Sequence, residues 1–140
     1  MVTEKSQGSS GRTTKETTKE TTKSAGDAGE ERALAHLLRH GLVLVQRNYR
    51  VARGPRSRGG EIDLILRDCD GTLVFAEVRT LRNASFGGAA ASIGAAKQRS
   101  LVYAAQHFLR TQRTVPPCRF DVVAIEGERI EWLKAAFDAA

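Results

Sequence analysis

Two acidic residues and an arginine lie within a pair of apolar segments in the middle of the sequence. Residues 60–67 read Gly-Glu-Ile-Asp-Leu-Ile-Leu-Arg, residues 72–79 read Thr-Leu-Val-Phe-Ala-Glu-Val-Arg, and Asp-Cys-Asp-Gly separates them. Apolar runs rich in β-branched residues on either side of an Asp/Gly turn predict a β-hairpin. Asp63 falls on the first strand and Glu77 and Arg79 on the second, each among residues whose pattern indicates burial.

A buried carboxylate is costly unless it is ion-paired, hydrogen-bonded or bound to a metal. Asp63 and Glu77 on adjacent strands could therefore share a divalent cation, and their hard oxygen atoms suit Mg²⁺ or Mn²⁺. In the alternative interpretation, Glu77 and Arg79 form a solvent-facing pair and Asp63 is a strand-edge acid with a backbone partner. The local pattern favours neither interpretation over the other.

The length and composition limit the class of protein. With 140 residues, 41% of them hydrophobic, the chain can form one domain with a substantial core. It contains no apolar run long enough for a membrane span and no apolar stretch typical of a secretion signal. Its two cysteines, Cys69 and Cys118, lack the spacing of a metal site and fit the reducing cytoplasm.

The sequence is basic, with a formal net charge of +6. Seventeen of the 22 basic and 13 of the 16 acidic residues follow residue 24, so most of the excess belongs to the folded part. This balance suggests a polyanionic partner, most plausibly nucleic acid.

Residues 1–24 are rich in Thr, Ser, Lys and Glu and repeat Thr-Thr-Lys-Glu. Such a composition cannot bury enough apolar surface to offset the entropy of ordering, so we predict a disordered tail followed by one domain over residues 25–140. A nucleic-acid-binding arm is the less favoured alternative, because the glutamates dilute its positive charge.

The first predicted helix begins at Asp27 and ends before Gly41. Asp27 and Glu30 have the spacing of a capping box, in which each side chain satisfies a free backbone amide. Glu30 also lies above the apolar stripe of this helix, and could instead deliver an acid to a site beneath it. His36 and His40 have the spacing of a metal-chelating pair, but are more simply exposed surface histidines.

A strand over residues 42–49 leads into a Gly-rich, strongly cationic loop. Arginine forks pair bidentately with phosphate, which favours a nucleic-acid-contacting role over a merely solvated loop. The arginines assigned to this role are Arg47, Arg50, Arg53, Arg56 and Arg58, with Arg82 after the hairpin.

The second half of the chain predicts a helix, capped by Ser92, with Lys97 at the head of its apolar stripe. Lys97 could reach whatever the helix packs on, or extend to water. Residues 120–125 and 130–132 are predicted strands, and Lys134–Ala140 a short terminal helix. The element order predicts an α/β fold with a mixed sheet flanked by helices.

At this level of detail the sequence resembles a known family. A helix acid, an Asp in an apolar strand and Glu-x-Arg in the next strand resemble the αβββαβ core of restriction-endonuclease-like PD-(D/E)xK nucleases. Gly-Glu-Ile-Asp-Leu-Ile, Phe-Ala-Glu-Val-Arg, Gly-Gly-Ala-Ala-Ala-Ser-Ile, Lys-Gln and Cys-Arg-Phe-Asp-Val-Val more closely resemble the YraN-type bacterial proteins, over about residues 26–137. Those proteins are usually likened to Holliday-junction resolvases.

The resemblance implies a role for each matching residue. Asp63 and Glu77 would be the metal-binding carboxylates, and Arg79 would occupy the usual lysine position. Glu30 would be the helix acid, and Lys97 with Gln98 the polar pair of the second helix. Arg79 departs from the nuclease pattern, because arginine stays charged and cannot act as a general base.

Three hypotheses follow. The leading one is a metal-dependent endonuclease that hydrolyses phosphodiester bonds in branched DNA with Mg²⁺ or Mn²⁺, for which the resemblance also suggests a homodimer. The second is a nucleic-acid-binding module that keeps the fold without hydrolysis. The third is a protein-interaction adaptor whose basic surface meets an acidic partner.

Overall fold

The computed structural model describes residues 14–55, 59–81 and 93–139. Two helices and five strands follow one another along the chain. They are α1 (Thr14–Arg39), β1 (Val43–Val51), β2 (Gly60–Arg67), β3 (Leu73–Thr80), α2 (Ala95–Leu109), β4 (Cys118–Glu126) and β5 (Arg129–Phe137).

The five strands form one sheet in the order β1-β2-β3-β4-β5. Neighbouring strands are antiparallel except β3 and β4, which are parallel and are connected through α2. A parallel connection needs a crossover, and an α-helix is the usual one. The structure therefore confirms the predicted α/β class, the mixed sheet and the hairpin that carries Asp63 and Glu77.

Each helix packs on one face of the sheet. Apolar residues of α1 and of the central strands form the first core, namely Ala33, Leu34, Leu37, Leu64, Leu66, Val74, Ala76, Val123 and Ile125. The second core joins α2 to the opposite face, through Ile62, Ile65, Leu73, Phe75, Leu101, Ala104, Ala105, Phe108 and Phe120. The helices are thus held over the same central strands, where the two acids lie.

Two glycines let the helices approach the sheet closely. A Cβ atom at Gly29 of α1 would lie 2.9 Å from the Thr80 hydroxyl oxygen, and one at Gly60 of β2 would lie 2.6 Å from the Ser100 carbonyl oxygen. Real Cβ atoms do not come this near to other atoms. The Ser100 contact is with backbone and requires glycine, whereas the Thr80 side chain is exposed and can rotate away from a Cβ at position 29. The close approach brings Glu30 of α1 and Lys97 of α2 towards the β2–β3 hairpin.

Three local predictions differ from the structure. Helix α1 begins at Thr14, so Asp27 and Glu30 lie inside it and the capping-box prediction is wrong. The N-cap residue of α2 is Gly94, which makes no side-chain hydrogen bond, and not the predicted Ser92. Ser92 itself lies outside the described residues.

Residues 14–24 of the predicted tail belong to α1, and residues 1–13 lie outside the described part. The division of the chain at residue 24 stays a prediction. No helix among the described residues is long and apolar enough to cross a membrane.

The predicted terminal helix over residues 134–140 is also wrong, because β5 continues to Phe137. The reason is a buried carboxylate. Asp121, fully buried in β4, accepts hydrogen bonds from Trp132 Nε1 at 3.0 Å and from the Ala135 backbone N–H at 2.9 Å. Arg119 adds an Nε–H bond at 3.0 Å, and these contacts hold the last residues of the chain against β4.

Replacing Asp121 with Ala should strongly destabilise the protein. The change leaves the Trp132 and Ala135 N–H groups without their acceptor and removes one of the two acids paired with Arg119, which keeps Asp68, so it costs about 2–4 kcal/mol. Urea denaturation would measure the loss, and Glu128→Ala, an exposed acid of the β4–β5 turn, is the matched control. A loss no larger than that of the control would show that Asp121 does not hold β5.

Candidate metal and catalytic centre

The centre lies where the β2–β3 ladder ends. These strands pair from Arg67 opposite Leu73 to Leu64 opposite Ala76, and no further. Beyond this point β2 stays paired with β1, and β3 with β4. Asp63 and Glu77 are the next residues on the two strands, so both acids stand at the opening between the halves of the sheet.

Asp63 fills part of this opening. Its Oδ2 accepts a hydrogen bond of 2.8 Å from the Val78 backbone N–H, so the side chain takes the place of a missing ladder bond. The strand-edge interpretation of Asp63 is correct in this respect, since the acid has a backbone partner. It does not exclude the metal-site interpretation, because the second carboxylate oxygen is not used by that bond.

The side-chain alternation of β2 changes at Asp63. Leu64 packs on the α1 face, yet Ile62, two residues earlier, packs on the α2 face. On the neighbouring strand, Asn48 has a positive φ of 50° and lies between residues paired with Leu64 and Ile62. The side chains of both strands therefore change faces at this position, and Asp63 points into the opening rather than to one face of the sheet.

Glu77 is the buried acid of the pair, with only 4% of its surface exposed. Its Oε2 lies 3.6 Å from Lys97 Nζ and 3.8 Å from an Arg79 guanidinium nitrogen. Its Oε1 is buried and has no hydrogen-bond partner among the described residues. Buried polar atoms are usually hydrogen-bonded, so this oxygen calls for an explanation, and a bound cation or water is one.

The surroundings disfavour charge on both acids. Burial, and then the nearby Asp63 charge, raise the pKa of Glu77 to about 7, although Lys97 and Arg79 act against the rise. Burial likewise raises the pKa of Asp63, while the Val78 N–H bond opposes it. A divalent cation between the two carboxylates would reverse both effects by stabilising their ionised forms.

The residues fit a hard divalent cation. Asp63 and Glu77 supply carboxylate oxygens, and the orphaned Oε1 is the kind of atom that such an ion would satisfy. No group of three or more His, Cys, Asp or Glu side chains among the described residues is placed to hold a metal ion, so the protein contribution here is two acids. Mg²⁺ characteristically binds through one or two carboxylates and completes its shell with water and phosphate oxygens.

Glu30 stands at the edge of the centre. It is half-buried on α1, and its pKa is raised first by burial and then by the Asp63 charge. A guanidinium nitrogen of Arg47 lies 4.0 Å from its carboxylate. Because Glu30 is not a helix cap, its position favours the interpretation of an acid delivered to the site, in a layer outside Asp63 and Glu77.

The family is shown by comparison with known proteins. Residues 29–125 match the model of the uncharacterised protein family UPF0102. A UPF0102 protein of Methylibium petroleiphilum is 68% identical, over 84% of this chain and 96% of that protein. A relative in Cupriavidus taiwanensis is 56% identical over 91% of this chain and 93% of its own.

The chain belongs to UPF0102. The resemblance to the YraN-type proteins is thereby confirmed. The match covers every described element from the middle of α1 to most of β4, and so includes Glu30, Asp63, Glu77, Arg79 and Lys97. The family name states no activity.

The other polar residue predicted for the UPF0102 site has a structural contact. Gln98 Nε2 donates a hydrogen bond of 3.1 Å to the Ile93 carbonyl oxygen, just before α2. This bond orders the start of the helix, and Lys97 of the preceding position is the residue that reaches Glu77. The His36–His40 pair is not part of this centre. The two ring centroids are 4.5 Å from each other, and both rings lie near Trp132.

The structure separates the predicted nucleic-acid-binding arginines. Arg47 is half-buried and forms a 2.8 Å ion pair with Glu31 of α1, which occupies its guanidinium. Arg50 and Arg53 are exposed near the start of β2. Arg56, Arg58 and Arg82 lie outside the described residues.

The raised pKa of Glu77 has a consequence for stability. The unfolded chain releases this proton near the ordinary pKa of 4.5, whereas the folded protein keeps it up to about pH 7. Below pH 4.5 both states hold the proton. As the pH rises from 4.5 through 7, the folded state loses stability relative to the unfolded chain, by up to about 3 kcal/mol.

Replacing Glu77 with Gln should remove this loss. The amide has nearly the same shape, stays neutral and can donate to Asp63, so the variant should be about 1–3 kcal/mol more stable than wild type at pH 8 without metal. Mn²⁺ should then stabilise wild type but not the variant. Thermal and urea unfolding from pH 4 to 9 measure both effects, with Glu128→Gln as the control; a variant less stable than wild type at pH 8 would contradict the buried-charge account.

Proposed function

We propose that this UPF0102 protein is a metal-dependent endonuclease that hydrolyses phosphodiester bonds in branched DNA, with Mg²⁺ or Mn²⁺ held by Asp63 and Glu77. The single observation that carries the proposal is the buried Glu77 oxygen that lacks a partner, beside a second carboxylate and two cations. The preference for branched DNA rests on the resemblance to junction resolvases.

The bound cation would lower the pKa of a coordinated water and neutralise phosphate charge. The chain itself supplies positioning and fixed positive charge. Lys97 and Arg79 flank the same Glu77 carboxylate oxygen, and a phosphate bound beside it could accept hydrogen bonds from them. Both would stabilise the charge that develops on the phosphate as the bond is cleaved.

Arg79 does not serve as the general base, because a guanidinium stays protonated at any working pH. Its roles are to orient the attacking water or to stabilise the transition state. Arg79 at this position is also the observation that favours a second candidate, a nucleic-acid-binding module without hydrolysis. The two candidates share the fold and the basic surface, and differ in whether Asp63 is needed for bond cleavage.

Cleavage of a panel of branched, flapped and linear DNAs with Mn²⁺ tests the proposal. Wild type should cleave the branched substrates, and Asp63→Ala should abolish cleavage because one of the two protein ligands is lost. DNA binding by Asp63→Ala should persist, since the phosphate-binding cations remain. Glu128→Ala should behave as wild type. No cleavage by folded, Mn²⁺-loaded wild type would leave the binding module as the better function.

Arg79 variants test the role of the cation. Arg79→Lys should retain measurable cleavage, whereas Arg79→Ala should lose a factor of about a hundred or more, which is typical of removing one charge-stabilising donor. If Arg79 serves only to neutralise Glu77, Arg79→Ala should instead lose roughly 3–5 kcal/mol of stability. Thermal melts run beside the cleavage assay distinguish these results. An Arg79→Ala variant that is as folded and as active as wild type would exclude both roles.

A further inference from the structure

A cleft of about 320 Å³ opens beside the carboxylate pair, between the end of β1, the start of β2 and the first turns of α2. Its volume is at the lower end for small-molecule sites in proteins. Lys97 lines the cleft and also lies 3.6 Å from Glu77 Oε2, so this side chain borders both the cleft and the candidate metal centre. A ligand that spans both would pass directly over Lys97.

The floor of the cleft is backbone. Gly59 has a φ of +78°, and a Cβ there would lie 2.9 Å from the Val51 carbonyl oxygen. A Cβ at Gly60 would lie 2.6 Å from the Ser100 carbonyl oxygen. Both Cβ positions point into the protein, so glycine is required here by packing, and the two residues expose only main chain to the cleft. The sequence alone attributes these glycines to loop flexibility.

The walls of the cleft are cationic. Arg50, Arg53 and Lys97 line it, against one acid, Glu61, which lies 3.5 Å from Arg50. Helix α2 contains no acidic residue. An anionic ligand is therefore favoured in this cleft.

We propose that this cleft binds one nucleotide of the nucleic-acid strand, the neighbour of the bond to be cleaved, through its phosphate and sugar. Arg50 and Arg53 contact the phosphate, the glycine floor admits the sugar, and Lys97 lies between this nucleotide and the carboxylates. The inference rests on the proposed function, which supplies the strand. The binding itself needs no metal, because the cations belong to the protein.

Anisotropy of a labelled five-nucleotide oligothymidylate, measured in EDTA over a range of salt, tests the proposal. Arg53→Ala and Arg50→Ala should each weaken binding about tenfold at low salt, and lower the salt slope by about one unit. Arg113→Ala is the matched control, because Arg113 is exposed beyond the far end of α2. An equal loss in Arg113→Ala would indicate diffuse attraction and overturn the cleft.

Competition identifies the chemistry that is bound. Thymidine 3′,5′-bisphosphate should displace the oligonucleotide at least tenfold better than inorganic phosphate, since only the nucleotide also fills the sugar position. Displacement by both at the same concentration would mean a free-anion site and overturn the proposal. If Arg53→Ala weakens binding while no substrate is cleaved, the cleft proposal is supported and the nuclease proposal is wrong. If cleavage depends on Asp63 and Arg53→Ala binds as wild type, the cleft alone is wrong.

Discussion

The cost of burying the Glu77 carboxylate is the constraint on which this centre depends. Glu77 is 4% exposed, has one oxygen without a partner and lies beside a second acid, so its pKa rises to about 7. A sequence selected only for stability would place an apolar residue here, as it does at every neighbouring position of β3 that faces a core. A carboxylate kept at such a cost is typical of functional sites, where a ligand rather than the protein satisfies the charge.

The fold supplies the partners of Glu77 from three directions. Lys97 arrives on α2, Arg79 follows on the same strand, and Asp63 comes from β2 through the opening of the ladder. Two of these approaches depend on a small backbone feature, the tight packing of Gly60 against α2 for Lys97 and the positive φ of Asn48 opposite Asp63. These features lie outside the acids themselves, so a substitution at Gly60 or at Asn48 would move the site without removing a single charged group.

The sequence predicts what is local. Apolar periodicity and the Asp/Gly turn were enough for the hairpin, for the placement of both acids on it and for Lys97 at the head of α2. The errors have non-local causes. Residues 134–137 suit a helix until Asp121 of another strand accepts a hydrogen bond from the Ala135 N–H. The phosphate-binding role of Arg47 stays a prediction, and its ion pair with Glu31 of α1 is a contact that the local pattern does not reveal. The face change at Asp63 breaks strict alternation, and arises from a backbone turn on the neighbouring strand that no period in β2 reveals.

The charge balance of the centre bears on the number of metal ions that the proposed function requires. Asp63 and Glu77, when ionised, are balanced by Lys97 and Arg79, so the protein groups sum to zero. Adding one divalent cation and one phosphodiester would leave a single positive charge, which would be cancelled when a coordinated water loses a proton to solvent and becomes hydroxide. A second divalent ion would leave an excess of positive charge, which the Glu30 carboxylate at the edge of the centre would offset only in part. The single positive charge would therefore favour the loss of that proton, and so the formation of the hydroxide that attacks the phosphate.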